Sequence, residues 1–133
     1  MSLEDRPPFS PPPRRVQPRT GAEQPLLCGA IIAACFALYL WESTRPGGSF
    51  NQPVHPGMLH GPDIKNGQWF RLITHVFEHG GPLHLILNMS VVLTLGTALE
   101  RIEGHGTFAM VSFISAMGSA AASLLLSYDV YML

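Results

Sequence analysis

Charge is scarce in this sequence. Of its 133 residues, 13% are Asp, Glu, Lys or Arg, about half the share of an ordinary soluble domain. The scarcity is uneven, with no such residue between Pro25 and Trp41, between Gly80 and Leu99, or between Gly106 and Tyr128. Runs of that length approach or reach the roughly 17 to 25 residues that a helix needs to cross a bilayer core. The net charge of −1 excludes the basic stripe of a nucleic-acid binder, so no nucleic-acid partner is expected. Cysteine is nearly absent as well. Cys28 and Cys35, both in the first uncharged run, would share a helix face about 10 Å apart along its axis, too far for an internal disulfide. They read as small apolar packing residues.

These absences define an all-α integral membrane protein, multi-pass, with spans at about residues 25–41, 82–100 and 107–128, and the lipid bilayer as its first partner. Residues 1–24 form a separate tail. Its stretch RPPFSPPPRRVQPRT holds six prolines and four arginines, a composition that builds neither helix nor core. The tail reads as disordered, with Pro-x-x-Pro spacings of the kind SH3-type domains bind. No small-residue cleavage signal follows Trp41, which argues against a secretory leader. Arg6, Arg14, Arg15 and Arg19 precede the first span and place the N-terminus in the cytosol by the positive-inside rule.

A loop of about 40 residues, 42–81, would then be extracytoplasmic. Its first half is dense in proline and glycine and reads as turns. Its second half is amphipathic: Trp69, Phe70, Leu72, Ile73, Val76 and Phe77 can face lipid or protein, while Lys65, Arg71 and Glu78 can face water. The charged stretch RIEGHG forms a short turn between the second and third spans. The third span has Ser115, Ser119 and Ser123 at i, i+4 and i+8, a small-residue face that permits close helix approach.

Three histidines crowd the entrance to the second span, in THVFEHGGPLHLILNM. His75, Glu78 and His79 spell H-x-x-E-H, an inverted zinc-protease motif. Gly80-Gly81-Pro82 follows at once, and no later acidic helix offers a third ligand. No metal or other cofactor is therefore expected. His84 and Asn88, four apart, share one helix face inside a membrane-length segment. Polar groups there need a partner or a water-filled cavity, so the pair serves either as interhelical glue or as a functional site.

The string GQWFRLITHVFEHGGPLHLILNM…LGTALE resembles the rhomboid intramembrane serine proteases, over roughly Asn66 to Glu100. It carries the W-x-R element (Trp69, Arg71), the T-x-x-F-x-H element (Thr74, Phe77, His79), the H-x-x-x-N element (His84, Asn88), and Gly96 with Glu100. Phe70 stands between Trp69 and Arg71 where the family usually has Trp directly before Arg. The resemblance implies a rhomboid-like helical bundle and cleavage of single-pass transmembrane proteins without a cofactor. His84 and Asn88 would lie on the oxyanion-hole side, since an imidazole N–H and an amide N–H can both donate to a developing oxyanion. Trp69, Arg71 and His79 would hold the loop's shape and membrane seat, or simply anchor an amphipathic segment. Gly96 and Glu100 would be structural, near the cytosolic helix end.

The catalytic serine of the family lies in a G-x-S-G motif and its base is a later histidine. These 133 residues hold no G-x-S-G, and no histidine follows His105. Alone they would lack both nucleophile and base and be inactive. The expectation is the N-terminal part of an active protease. The alternative is a catalytically dead rhomboid-like protein that binds client transmembrane helices.

Overall fold

The structure, a computed structural model, describes residues 24–51 and 55–127. The Pro/Arg-rich stretch with its Pro-x-x-Pro spacings, and the terminal DVYML, lie outside the described residues. Every regular element among those described is helical, as expected of an all-α membrane protein. Helix α1 (Leu26–Ser43) is followed by two short helices in the loop, α2 (Gly61–Lys65) and α3 (Arg71–Thr74), and then a 3₁₀ turn at His75–Phe77. The second span is composite: α4 (Pro82–Val91), a π-helical turn (Val92–Gly96) and α5 (Thr97–Glu103). Helix α6 (His105–Leu126) completes the order.

Among the described residues three helices are long and apolar enough to cross a membrane: Leu26–Ser43, Pro82–Glu103 and His105–Leu126, with mean hydropathies of 1.8, 1.6 and 1.8. The turn expected over RIEGHG shrinks to one residue. Gly104 has φ of 87°, a left-handed conformation that glycine adopts without a Cβ clash, and α6 starts directly after it.

α1 packs on α4 through Cys35, Tyr39, Leu85 and Met89, with Ile31, Ile32, Phe77 and Val92 beside them. Leu59 and Ile64 from the loop pack on Ala120 of α6, with Leu72 and Leu124 at the edge. The loop thus folds back onto the third span. It does not follow one amphipathic stripe. Trp69, Phe70, Ile73 and Val76 are exposed, but Glu78, expected to face water, is buried. It follows the 3₁₀ turn in an extended conformation (φ −81°, ψ 136°), where helical periodicity no longer decides which way a side chain points.

Glu100 fixes the opposite end of the bundle. It is fully buried; Oε1 accepts the Leu27 N–H and Oε2 the Cys28 N–H, both at 2.8 Å. His105 Nδ1 also contacts Oε1. The first N–H groups of a helix have no intrahelical partner, and the dipole favours an anion there. One carboxylate from α5 therefore caps α1 and holds the start of α6.

Gly96 lies where three spans meet. A Cβ there would stand 3.2 Å from Phe108 of α6, 3.3 Å from Cys28 Sγ of α1 and 3.5 Å from Val92. Cys28 Sγ itself donates to the Val92 carbonyl at 3.2 Å, inside the π-helical turn. Both cysteines are free and buried.

Glu100→Gln places an amide NH₂, which cannot accept, against one of the two backbone donors. A buried donor left unmet costs about 1–3 kcal/mol. The thermal midpoint in detergent should fall by several degrees, and further for Glu100→Ala. An unchanged midpoint in both variants would show the cap to be dispensable.

Candidate active site and the loop that frames it

Helix α4 opens with Pro82 in its first turn, a position where the missing N–H costs nothing. Leu85 and Met89 point into the α1 interface. At about 100° per residue, His84 and Asn88 lie on the flank next to that buried stripe, one turn apart, and both are exposed. Other polar side chains of this span are satisfied by their own helix. Ser90 Oγ donates to the Ile86 carbonyl at 2.7 Å, Thr94 Oγ1 to Ser90 at 2.8 Å, and Thr97 Oγ1 to Leu93. No hydrogen bond joins the Asn88 amide or the His84 imidazole to another described side chain.

His79 is the close neighbour of His84, with ring centroids 5.4 Å apart and edge-on. It is buried, and its Nδ1 lies 2.9 Å from the Phe77 carbonyl. A carbonyl only accepts, so Nδ1 carries the proton. Burial pushes this imidazole below its usual range, partly opposed by the Phe77 hydrogen bond, while the neighbouring His84 lowers it further.

The loop is held by two sets of contacts. Arg71 ties α3 to α2 and to the chain on both sides of α2: Nη1 donates to the Met58 carbonyl at 2.6 Å, Nε to Gln68 Oε1 at 2.8 Å, and Nη2 pairs with Asp63 at 3.3 Å. Its guanidinium also lies 5.7 Å over the Phe70 ring. Trp69 makes no such gathering; it is exposed, as is Phe70. The second set centres on Gly57. Its N–H donates to Glu78 Oε1 at 2.6 Å, and its carbonyl accepts from Thr74 Oγ1 at 3.0 Å. A Cβ at Gly57 would lie 2.2 Å from that carboxylate oxygen and 2.9 Å from Thr74 Oγ1, so any larger residue would displace both contacts.

The H-x-x-E-H string does not assemble as one metal face. His75 sits in the 3₁₀ turn, with Nδ1 3.1 Å from the Arg71 carbonyl, while His79 lies beyond the turn in the chain leading to α4. Glu78 instead turns toward His55 and Glu42, two residues to which the sequence reading gave no role. His55 Nδ1 stands 3.0 Å from Glu78 Oε2 and 3.7 Å from Glu42 Oε2. The available signal was placement: Glu42 and Glu78 are buried acids bracketing the loop, one at the end of α1 and one just before α4.

Residues 66–133, just over half of the chain, match the family model described as the rhomboid domain. The chain belongs to the rhomboid family. Rhomboid protease GluP of Bacillus subtilis is 34% identical over 83 residues, covering 61% of this chain and 16% of that protein. RHOMBOID-like protein 5 of Arabidopsis thaliana is 32% identical over 88 residues, covering 56% of this chain and 28% of that protein. Rhomboid-related protein 3 of Homo sapiens is 28% identical over 96 residues, covering 68% and 23%. The matched region is thus less than a third of the length of each of these relatives. No solved structure gives a significant match.

His75 provides a test of the loop. Burial holds its imidazole below the usual value of 6.5, although its backbone contacts raise it in part. The unfolded chain therefore binds a proton near 6.5 that the folded ring resists, and stability falls as pH drops below that value. Thermal unfolding at pH 7.5 and pH 5 should show a lower midpoint in acid. His75→Leu should reduce the difference; an equal acid shift in the variant would remove His75 as its source.

Proposed function

We propose that these residues form the N-terminal, oxyanion-binding side of a rhomboid-type intramembrane serine endopeptidase acting on transmembrane protein substrates. The serine and the general base come from outside the 133 residues. The observation that carries this reading is the state of the second span: its hydroxyls are spent on its own backbone, whereas the Asn88 amide and the His84 ring on α4 are exposed, with no hydrogen bond to another described side chain. In a low-dielectric cavity, donors held in place on a helix stabilise a developing oxyanion most effectively. The family match and relatives named as rhomboid proteases support the same conclusion.

In this reading Trp69, Arg71 and His79 shape the loop over the site, and Gly96 and Glu100 hold the bundle beneath it. The tail is cytosolic and the loop extracytoplasmic, so substrates are cut toward the extracytoplasmic side. A second reading is favoured by one observation: these residues include no G-x-S-G and no histidine after His105. It makes the protein a catalytically dead rhomboid that binds client transmembrane helices.

The experiment is cleavage of a transmembrane reporter by the full-length protein in proteoliposomes, with fluorophosphonate labelling of the active serine. Turnover and labelling are expected. Loss of an oxyanion donor typically costs about 10²–10³ in kcat, so Asn88→Ala should slow cleavage by at least tenfold with the thermal midpoint unchanged. Full turnover in Asn88→Ala would remove it from the oxyanion role. Absent labelling, with the reporter bound but uncut, would favour the second reading.

A further inference from the structure

The geometry points to a zinc-type cation site formed by Glu42, His55 and Glu78 at the loop end of α1. One ligand atom from each lies within 4.8 Å of the others. Zinc bonds of about 2.0–2.1 Å in a tetrahedral arrangement put neighbouring ligand atoms about 3.3 Å apart. The observed edges from His55 Nδ1, 3.0 Å to Glu78 Oε2 and 3.7 Å to Glu42 Oε2, bracket that spacing.

A second observation comes from Glu42 itself. It is completely buried, and among the described residues no donor meets either carboxylate oxygen, although Glu78 stands close enough to share a proton with it. It also sits in the last turn of α1, where the helix dipole disfavours negative charge, and beside the second buried acid, Glu78. A buried carboxylate is tolerated only when paired, coordinated or neutralised. Arg45, one turn beyond, is stacked 4.5 Å over the Trp41 ring.

The donor set selects among cations. Calcium and magnesium favour all-oxygen sites, so the imidazole nitrogen disfavours both. One imidazole and two carboxylates, with a fourth position left for water, suit zinc and related first-row divalent ions. Glu78 is already oriented, because Oε1 is occupied by the Gly57 N–H and Oε2 is turned to the cluster. Outer contacts of that kind commonly aim metal ligands. The ligands come from α1, from the loop before α2 and from the segment leading into α4. A bound ion would fasten the loop to the helices at the end where His84 lies. The site includes Glu78 of the H-x-x-E-H string but neither of its histidines.

The test uses the full-length protein, purified in detergent with a tag free of histidine and stripped with chelator. Zinc chloride is titrated by calorimetry, and bound metal is counted after gel filtration. The expected result is one equivalent of zinc and a raised thermal midpoint, with calcium unable to compete. Glu42→Gln and His55→Gln should each weaken zinc binding at least tenfold while retaining the metal-free midpoint to within a few degrees. Less than a tenth of an equivalent, or unchanged affinity in both variants, overturns the site. In the first case the two carboxylates are instead accommodated by a shared proton.

Discussion

The arrangement of the spans depends on a capped helix start. In an environment without water, the first N–H groups of a membrane helix must find acceptors within the protein. Here the acceptor is brought from 72 residues away: the Glu100 carboxylate takes the Cys28 N–H with one oxygen and the Leu27 N–H with the other. Because the contact is bidentate, it fixes rotation as well as height. α1 cannot turn or slide against α5 without losing a charge-assisted bond. That register sets Cys28 against the Val92 carbonyl and leaves Gly96 tightly enclosed, where a Cβ would need Phe108 and Cys28 Sγ to give by a few tenths of an ångström. At the other end Tyr39 donates to the Phe50 carbonyl and its ring meets Phe50 edge-on at 5.7 Å, so the loop begins from a fixed point.

The second span meets the same requirement differently. Its sequence NMSVVLTLGT looks too polar for lipid, yet Ser90, Thr94 and Thr97 return their hydroxyls to carbonyls four residues back. The π-helical turn at Val92–Gly96 displaces the backbone ladder by one residue, and the Cys28 thiol reaches a carbonyl there. With these groups satisfied internally, His84 and Asn88 are left as the polar functions of α4 available to something else. Their availability follows from how the helix deals with its other polar groups, and not from the two residues alone.

Much of this was legible in the sequence for a simple reason. Crossing a bilayer demands long uncharged runs, and those runs could be read directly; the helices Leu26–Ser43, Pro82–Glu103 and His105–Leu126 fall on them. The four-residue spacing of His84 and Asn88 likewise guaranteed a shared face once α4 formed. The loop was less legible because its contacts are set by tertiary packing. Glu78 leaves the helical period immediately after a 3₁₀ turn, so an amphipathic projection pointed it to water when it is buried. The Gly57 contact, which holds that carboxylate, depends on two segments 21 residues apart. Gly104 compressed an expected six-residue turn into one, since a single left-handed glycine reverses the chain without needing others.

Two buried carboxylates thus stand near opposite ends of α1, and the helix dipole treats them oppositely. Glu100 lies at the positive end and is met by two backbone donors and an imidazole. Glu42 lies at the negative end, with no donor from the described residues on either oxygen and a second carboxylate close enough to share a proton with it. Burial is therefore supportable at Glu100 from the fold's own groups, and the carboxylate acts there as a structural pin. At Glu42 the described residues supply one imidazole and one backbone N–H, both within hydrogen-bond distance of Glu78, so the two acids are held either by a shared proton or by the cation proposed above. That asymmetry makes Glu100 a matter of stability and directs attention to the Glu42 end for binding. It also places the two neighbouring buried acids, Glu42 and Glu78, beside the loop that frames His84 and Asn88, where a change of bound charge would be felt first.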